Sequence, residues 1–138
     1  MSDEKIKHLE FIQDVITRMN ANSFLIKQWM VTLVSAILAV FVSTDNNYFI
    51  LAAIFPAIVL WFLDSFYLMQ ERRYRGLYND VAGITENPKV IKLFEMRPDL
   101  YTGGKYSFFS SFFSKTILLI YLLISIGLLL LFITLNCL

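Results

Sequence analysis

Asp64 is the residue whose type and position most directly suggest chemistry, because its carboxyl group interrupts an otherwise apolar run. A charged group in such a run costs at least about 3 kcal/mol unless it faces protein, water or a cation. Lys27 and Lys115 are expected at about the same depth as Asp64, so the three residues form a candidate ion-pair site. Two interpretations stay open: an ion or proton step or conformational latch, and a fixed ion pair that sets the register of the helices. The second is favoured, because Asp64 lies near the end of the run.

The densest basic cluster follows about two helical turns after Asp64 and contains Arg72, Arg73 and Arg75. Near an anionic membrane surface each Lys or Arg is attracted by about 1 kcal/mol. We therefore predict that this cluster faces lipid or a partner. Anchoring of the chain's orientation is enough to explain it, and a bound nucleotide or an acidic protein partner is the alternative.

No pattern in the sequence favours catalysis. His8 is the only histidine and Cys137 the only cysteine, so a His and Cys metal site is not expected. Gly103-Gly104 is too short for a phosphate-binding loop of the nucleotide-binding kind. The net charge of +1 argues against a nucleic-acid partner. We expect a protein that is not an enzyme, with no cofactor, no metal and no bound nucleic acid.

Three apolar segments must position these residues, at 24–43, 48–69 and 116–135. Each is long enough for a hydrocarbon core of about 30 Å, which needs about 20 residues of helix. All twelve Lys and Arg residues can be threaded to one side, because the connector 44–47 and the tail 136–138 carry none. Cytoplasmic loops retain Lys and Arg. We therefore predict a single membrane domain in the bacterial inner membrane, with the N-terminus cytoplasmic and the C-terminus on the outer side.

The first segment carries a row of small residues on one helical face: Thr32, Ser35, Ala36, Ala39 and Ser43. Within lipid, small faces let helix backbones approach closely and let hydroxyl groups bond across the contact. The second segment has Ala53 and Ala57 on either side of Pro56, which is expected to kink that helix. Because the connector is short, we predict that the two small faces meet, and we also consider the first one as a pore-lining face.

The predicted fold class is an all-α membrane protein: an N-terminal amphipathic helix at 3–20, then three transmembrane helices. The apolar face of the first helix repeats at spacings of three and four: Ile6, Leu9, Ile12, Ile16 and Met19. Such a helix can lie on the inner membrane surface or pack on the protein's own cytoplasmic segment, and both alternatives stay open. An elbow should follow, with Asn22 or Ser23 as the N-cap of the first span.

The second transmembrane helix is predicted to extend into the cytoplasm and to stop near Gly83, which can adopt a left-handed cap. Residues 70–106 then form the cytoplasmic segment, with a short helix at 89–96 started by Pro88. Residues 107–115 are predicted to be an interfacial lead-in to the last span.

Two stretches carry a resemblance to known proteins. The first runs from His8 to Gln13 and continues through Arg18-Met19 to Trp29, and the second runs from Trp61 to Leu68 and on to Tyr78. Together they resemble a group of small, mostly uncharacterised bacterial multi-span membrane proteins, and some proteins of this general kind sit in antiphage defence loci as membrane effectors. The resemblance covers roughly the first 80 residues and implies the architecture and a defence role, with no active-site residue.

Two functional hypotheses follow. In the first, the protein is a homo-oligomeric membrane effector that perturbs or permeabilises the membrane after a cytoplasmic signal. In the second, it is a non-catalytic anchor or adaptor that docks a soluble cytoplasmic protein partner through residues 71–106. Membrane lipids are expected partners in both.

Overall fold

The computed structural model describes residues 2–137, and every regular element among them is helical. The α-helices are α1 (Asp3–Thr44), α2 (Tyr48–Ala82), α3 (Phe108–Phe112) and α4 (Lys115–Cys137), and 3-10 turns form at Pro98–Leu100 and Gly104–Tyr106. α1, α2 and α4 are each long and apolar enough to cross a membrane. We call residues 24–69 and 115–137 the apolar half of the molecule and residues 2–23 and 70–114 the polar half.

α1 is one uninterrupted helix, so the predicted elbow and N-cap before residue 24 are wrong. Ser2 caps its start by accepting a hydrogen bond from the backbone N–H of Lys5, and acidic residues occupy the first turn. No Gly or Pro occurs between residues 3 and 44, and Asn and Ser lower helix propensity only modestly. Asp45 ends the helix in a left-handed conformation with φ 52°.

α2 continues well past the apolar run, as predicted. Gly76 does not end the helix, because a single glycine costs only about 1 kcal/mol relative to alanine. The predicted stop is confirmed: Gly83 has φ 78°, and its N–H is donated to the carbonyls of Asn79 and Asp80. Pro56 lies inside the helix, and the kink expected there stays a prediction.

The apolar half has a core in which α1, α2 and α4 meet. Its buried members are Met30 and Val34 of α1, Ile50, Ala53 and Ala57 of α2, and Ile117, Tyr121 and Leu128 of α4. The two alanines are therefore buried, but the residues of α1 that share their core are large. The outer faces of these helices carry exposed apolar side chains such as Val42, Phe55 and Leu123.

The prediction that the small faces of the first two segments meet is wrong. All five small residues of the α1 row are exposed: Thr32, Ser35, Ala36, Ala39 and Ser43. At about 100° per residue they lie on the side of α1 opposite Met30 and Val34. The physical reason is complementary size, since large side chains of α1 fill the space that the alanines of α2 leave.

The polar half has its own small core, made of Ile12, Ile16, Leu77 and Tyr101. The N-terminal part of α1 thus packs against α2 and the 84–106 segment, as in the second of the two alternatives above. A helix continuous with the first apolar segment cannot lie separately along a membrane surface.

The helix predicted at 89–96 does not form. The backbone N–H of Lys92 is donated to the Glu95 carboxylate, so a side chain replaces the carbonyl acceptor that this N–H would have in a helix, and the N–H of Lys89 is donated to the Asp80 carboxylate on α2. Phe94 has φ 61°, a left-handed conformation that a regular helix does not contain. The lead-in predicted at 107–115 contains the single-turn α3, which Ser107 caps.

Candidate functional site

Asp64 is the centre of a buried polar network that joins all three long helices. Its side chain is 0% exposed, and its Oδ2 lies 2.6 Å from Lys27 Nζ of α1. The hydroxyl of Tyr121 on α4 donates to the same oxygen at 3.0 Å, and the hydroxyl of Ser23 donates to Oδ1. Lys27 Nζ also donates to Ser23 Oγ at 2.9 Å. The carboxylate therefore has one cation and two hydroxyl donors.

Helix geometry explains how these donors converge. Ser23 and Lys27 are four residues apart on α1 and so lie on the same helical face.

An aromatic layer lies next to these polar groups. Trp61, one turn before Ser65 on α2, stacks on Phe112 with a centroid distance of 4.4 Å and on Tyr121 with a centroid distance of 6.1 Å. Its indole N–H is donated to the Phe112 carbonyl at 3.2 Å. This aromatic layer packs beside the network and holds α3 and α4 against α2.

Lys27 is the member of the network that reaches the surface. Its side chain is 24% exposed, whereas Asp64 and Tyr121 are both 0% exposed. A change at the surface can therefore reach the carboxylate through this ammonium group. Within residues 2–137 no group of three His, Cys, Asp or Glu side chains could hold a metal ion.

The third residue of the predicted site, Lys115, lies elsewhere. It is exposed at the first position of α4 and forms no salt bridge with any other residue of the 2–137 range. The sequence interpretation also missed Ser23, which was read as a helix cap, and Tyr121. A tyrosine in an otherwise apolar span is itself a signal, because its hydroxyl needs a hydrogen-bond partner when it is buried.

The basic cluster holds the 105–110 segment against α2. Arg72 Nη1 donates to the Lys105 carbonyl at 3.2 Å and to Ser110 Oγ at 3.1 Å. Arg73 donates to the Tyr106 carbonyl at 3.3 Å. Arg75 forms an ion pair with Glu71 at 2.8 Å on the same helix. Arg72 and Arg73 thus bind neutral oxygens, and Arg75 alone of the three has a carboxylate partner among residues 2–137.

No family model, curated protein or solved structure matches this chain.

A second polar anchor fixes the 84–106 segment to α2. Asp80 Oδ2 accepts a hydrogen bond from the Tyr101 hydroxyl at 2.5 Å and from the Lys89 N–H at 3.2 Å. Burial acts to raise the pKa of Asp80, but the hydrogen bonds from Tyr101, Thr85 and Lys89 outweigh it and lower the pKa. Burial, then the hydrogen bond to Asp80, raise the pKa of Tyr101.

Two close contacts complete this anchor. A Cβ on Gly76 would lie 2.7 Å from Tyr101 Cδ1 and 2.8 Å from the Tyr106 hydroxyl, so no larger residue fits there without a shift. His8 is 2% exposed, and its Nε2 lies 3.2 Å from the Glu95 carbonyl oxygen. The 84–106 segment is thus held against both α1 and α2.

Gln28 adds a polar residue that the sequence interpretation did not include in the α1 row. It is exposed, one turn before Thr32 and on the same face. The Thr32 hydroxyl donates to the Gln28 carbonyl at 2.9 Å, and the Ser43 hydroxyl donates to the Val40 carbonyl at 2.9 Å. The exposed face of α1 therefore has polar groups from its first turn in the apolar half to its last.

Proposed function

We propose that this protein is an oligomerising membrane effector of the bacterial inner membrane, which perturbs or permeabilises the membrane after a cytoplasmic signal. In this proposal α1, α2 and α4 each cross the membrane once, and the polar half lies in the cytoplasm. The distribution of Lys and Arg supports this orientation, since the 45–47 turn and the end of α4 contain neither. The resemblance to membrane proteins of defence loci suggests phage infection as the source of the signal.

The observation that carries the proposal is the outward direction of the small-residue face of α1. Lipid chains are as apolar as leucine, so transmembrane helices associate through close packing and hydrogen bonds. A row of Ser, Thr and Ala gives both, yet none of its members packs inside the subunit. A second copy of the chain is the partner that this face fits best in the membrane.

The interior of one subunit supports the same conclusion. Within residues 2–137 its core is filled mainly by apolar side chains such as Met30, Ile50, Ile117 and Leu128. The hydroxyl groups of Thr32 and Ser35 lie on the outer surface instead. A permeation path would therefore form between copies of the chain.

Continuous helices give a route for the signal. α1 spans 42 residues and α2 spans 35, and both run from the polar half into the apolar half. A rigid helix transmits a rotation or shift along its whole length, here about 60 Å for α1. Docking of a ligand or protein on the polar half would change the orientation of the α1 face in the membrane.

Substitution of Ser35 tests this proposal. Leucine at Ser35 would fill the small-residue face, and we expect it to abolish both cross-linked oligomers and the membrane depolarisation caused by overexpression. Val40→Leu is the matched control, because Val40 is exposed on α1 about 140° away from Ser35. Unchanged membrane potential for the wild type under all induction conditions would refute the effector role.

The single cysteine tests the orientation. Cys137 is exposed at the end of α4, so a membrane-impermeant thiol reagent should label it in intact cells or spheroplasts. A Cys137→Ser variant that also carries Ser2→Cys should be labelled only after the membrane is opened. The reverse result would show that the proposed orientation is wrong.

A second candidate function is that of a membrane adaptor that docks a soluble protein through residues 71–106. The observation in its favour is the exposure of apolar side chains in this segment, with Val90 94% and Ile84 69% exposed. Val90→Asp should abolish the cellular activity of an adaptor without changing its oligomeric state. If Ser35→Leu has no effect and Val90→Asp does, the adaptor role replaces the effector role.

A further inference from the structure

A groove beside the basic cluster concentrates positive charge that has no carboxylate partner. It has a volume of about 390 Å³ and is lined by Arg72, Arg75, Gly76, Asn79, Lys105 and Ser110. Its cationic side chains come from α2 and from the turn Gly104–Tyr106, which are brought together only in the folded chain.

The charge in this groove is not balanced by carboxylates. Arg72 donates only to neutral acceptors, the Lys105 carbonyl and the Ser110 hydroxyl. Lys105 Nζ lies over the Tyr106 ring at 5.1 Å and has no carboxylate within 4.0 Å among residues 2–137. Only Arg75 is paired, through Glu71. Three cations with one carboxylate leave a net charge of +2, so the groove favours an anion such as the singly charged phosphodiester of a phospholipid.

The donor groups in this groove are of the types that bind phosphate oxygens. Arginine offers a planar fork of N–H donors that suits phosphate, and lysine adds a compact ammonium group. Asn79 and Ser110, both partly buried on the wall, add neutral hydrogen-bonding groups. These side chains together fit one phosphate group with several donors.

The position of the groove identifies the source of that phosphate. Arg72 is 24 residues beyond Tyr48, the first residue of α2, and so about 36 Å along the helix. That distance exceeds the hydrocarbon thickness of about 30 Å but lies within the full bilayer of about 40–45 Å. Phe109, 72% exposed, neighbours Ser110 and gives an apolar surface for acyl chains.

We propose that this groove binds the phosphate of an anionic phospholipid headgroup from the inner leaflet, with Arg72 and Lys105 as the principal ligands. This inference rests on the membrane placement proposed above, but it does not require oligomerisation. Bound lipid would lie between α2 and the 105–110 segment, and so would link lipid composition to the docking of that segment on α2.

The test uses the purified full-length protein in detergent, with native mass spectrometry to measure retained lipid. We expect phosphatidylglycerol to be retained and phosphatidylcholine to be lost. Lys105→Gln should reduce phosphatidylglycerol retention about fivefold, the change that corresponds to about 1 kcal/mol per basic residue at an anionic surface. Lys105 is the informative position, because its side chain holds no other part of the fold and its carbonyl remains for Arg72.

Lys92→Gln is the matched control, since Lys92 is exposed in the polar half, away from the groove, and carries the same charge. Equal losses for the two variants would show non-specific charge attraction and overturn the proposal. Displacement of phosphatidylglycerol by an equal concentration of glycerol phosphate would also overturn it, in favour of a soluble phosphate ligand. If Cys137 labelling supports the proposed orientation but no lipid is retained, the lipid site is refuted while the proposed membrane placement stands.

Discussion

Replacing Lys27 by methionine should destabilise the protein strongly, and replacing Asp64 as well should remove most of that effect. Methionine keeps the apolar stem of Lys27 but removes the cation that pairs with a carboxylate that is 0% exposed. Removal of one partner from a buried ion pair costs about 3–5 kcal/mol, because the other charge stays buried without compensation.

Asp64→Asn alone should cost less. The amide keeps one oxygen acceptor, so one of the hydroxyls of Ser23 and Tyr121 loses its partner, at about 1–3 kcal/mol. Lys27 is 24% exposed, so its ammonium group can turn towards water or headgroups. In the double variant no buried charge remains, and a neutral pair of similar volume is often as stable as the ion pair.

The two single changes should therefore be non-additive. Lys27→Met should cost about 1 kcal/mol in the Asp64→Asn background, which gives a coupling energy of about 2–4 kcal/mol. Unfolding of the purified protein in mixed micelles, followed by helical circular dichroism and by tryptophan fluorescence in a background where Trp29 is replaced by Phe, measures all four corners of the cycle. Trp61 reports on this region because it stacks on Tyr121.

Equal costs for Lys27→Met in the two backgrounds would refute the reasoning, since the network would then hold no coupled charge pair. Glu71→Gln is the control, and we expect it to cost less than Asp64→Asn. Its partner Arg75 has a side chain that is 59% exposed, so water can solvate the cation that is left. Equal effects of Glu71→Gln and Asp64→Asn would remove the special status of Asp64.

Two further predictions concern the polar half. Gly76→Ala should lower stability by about 1–3 kcal/mol in the same unfolding assay, because the added Cβ clashes with Tyr101 and Tyr106. Gly127→Ala is the comparison: nothing lies within 4 Å of its added Cβ, so it should raise stability by up to about 1 kcal/mol. A Gly76→Ala variant as stable as the wild type would contradict the close packing. The pKa of Asp80 is lower in the folded protein than its ordinary value of 3.8. The hydrogen bonds to its carboxylate therefore stabilise the fold fully at pH values above 3.8, and this stabilisation is lost as the pH falls through the folded-state pKa. The protection factors of the amides in residues 84–106, which correct for the intrinsic pH dependence of hydrogen exchange, should therefore fall at low pH in the wild type but not in Asp80→Asn. An equal pH dependence of protection in both proteins would refute the assignment.

The elements of this fold could be predicted from the sequence because they depend on local properties. The three apolar helices follow from the length of the apolar runs. The end of α2 follows from Gly83, because glycine adopts the left-handed conformation of a helix cap without strain. The helix predicted at 89–96 failed for a reason that is partly tertiary. The 89–96 stretch has a helical start signal, but its backbone N–H groups found carboxylate acceptors in Asp80 and Glu95.

The candidate site shows the limit of the same reasoning. The sequence by itself determined that Asp64 needs a partner, because an isolated carboxylate in an apolar run is costly. It did not determine which partner, because two lysines lie at similar depth. Only the tertiary structure decided for Lys27 and added Ser23 and Tyr121. Helix rotation is the physical reason: several faces of α1 are apolar enough to pack inward, and contacts with α2 and α4 choose the face that buries Met30 and exposes the small residues.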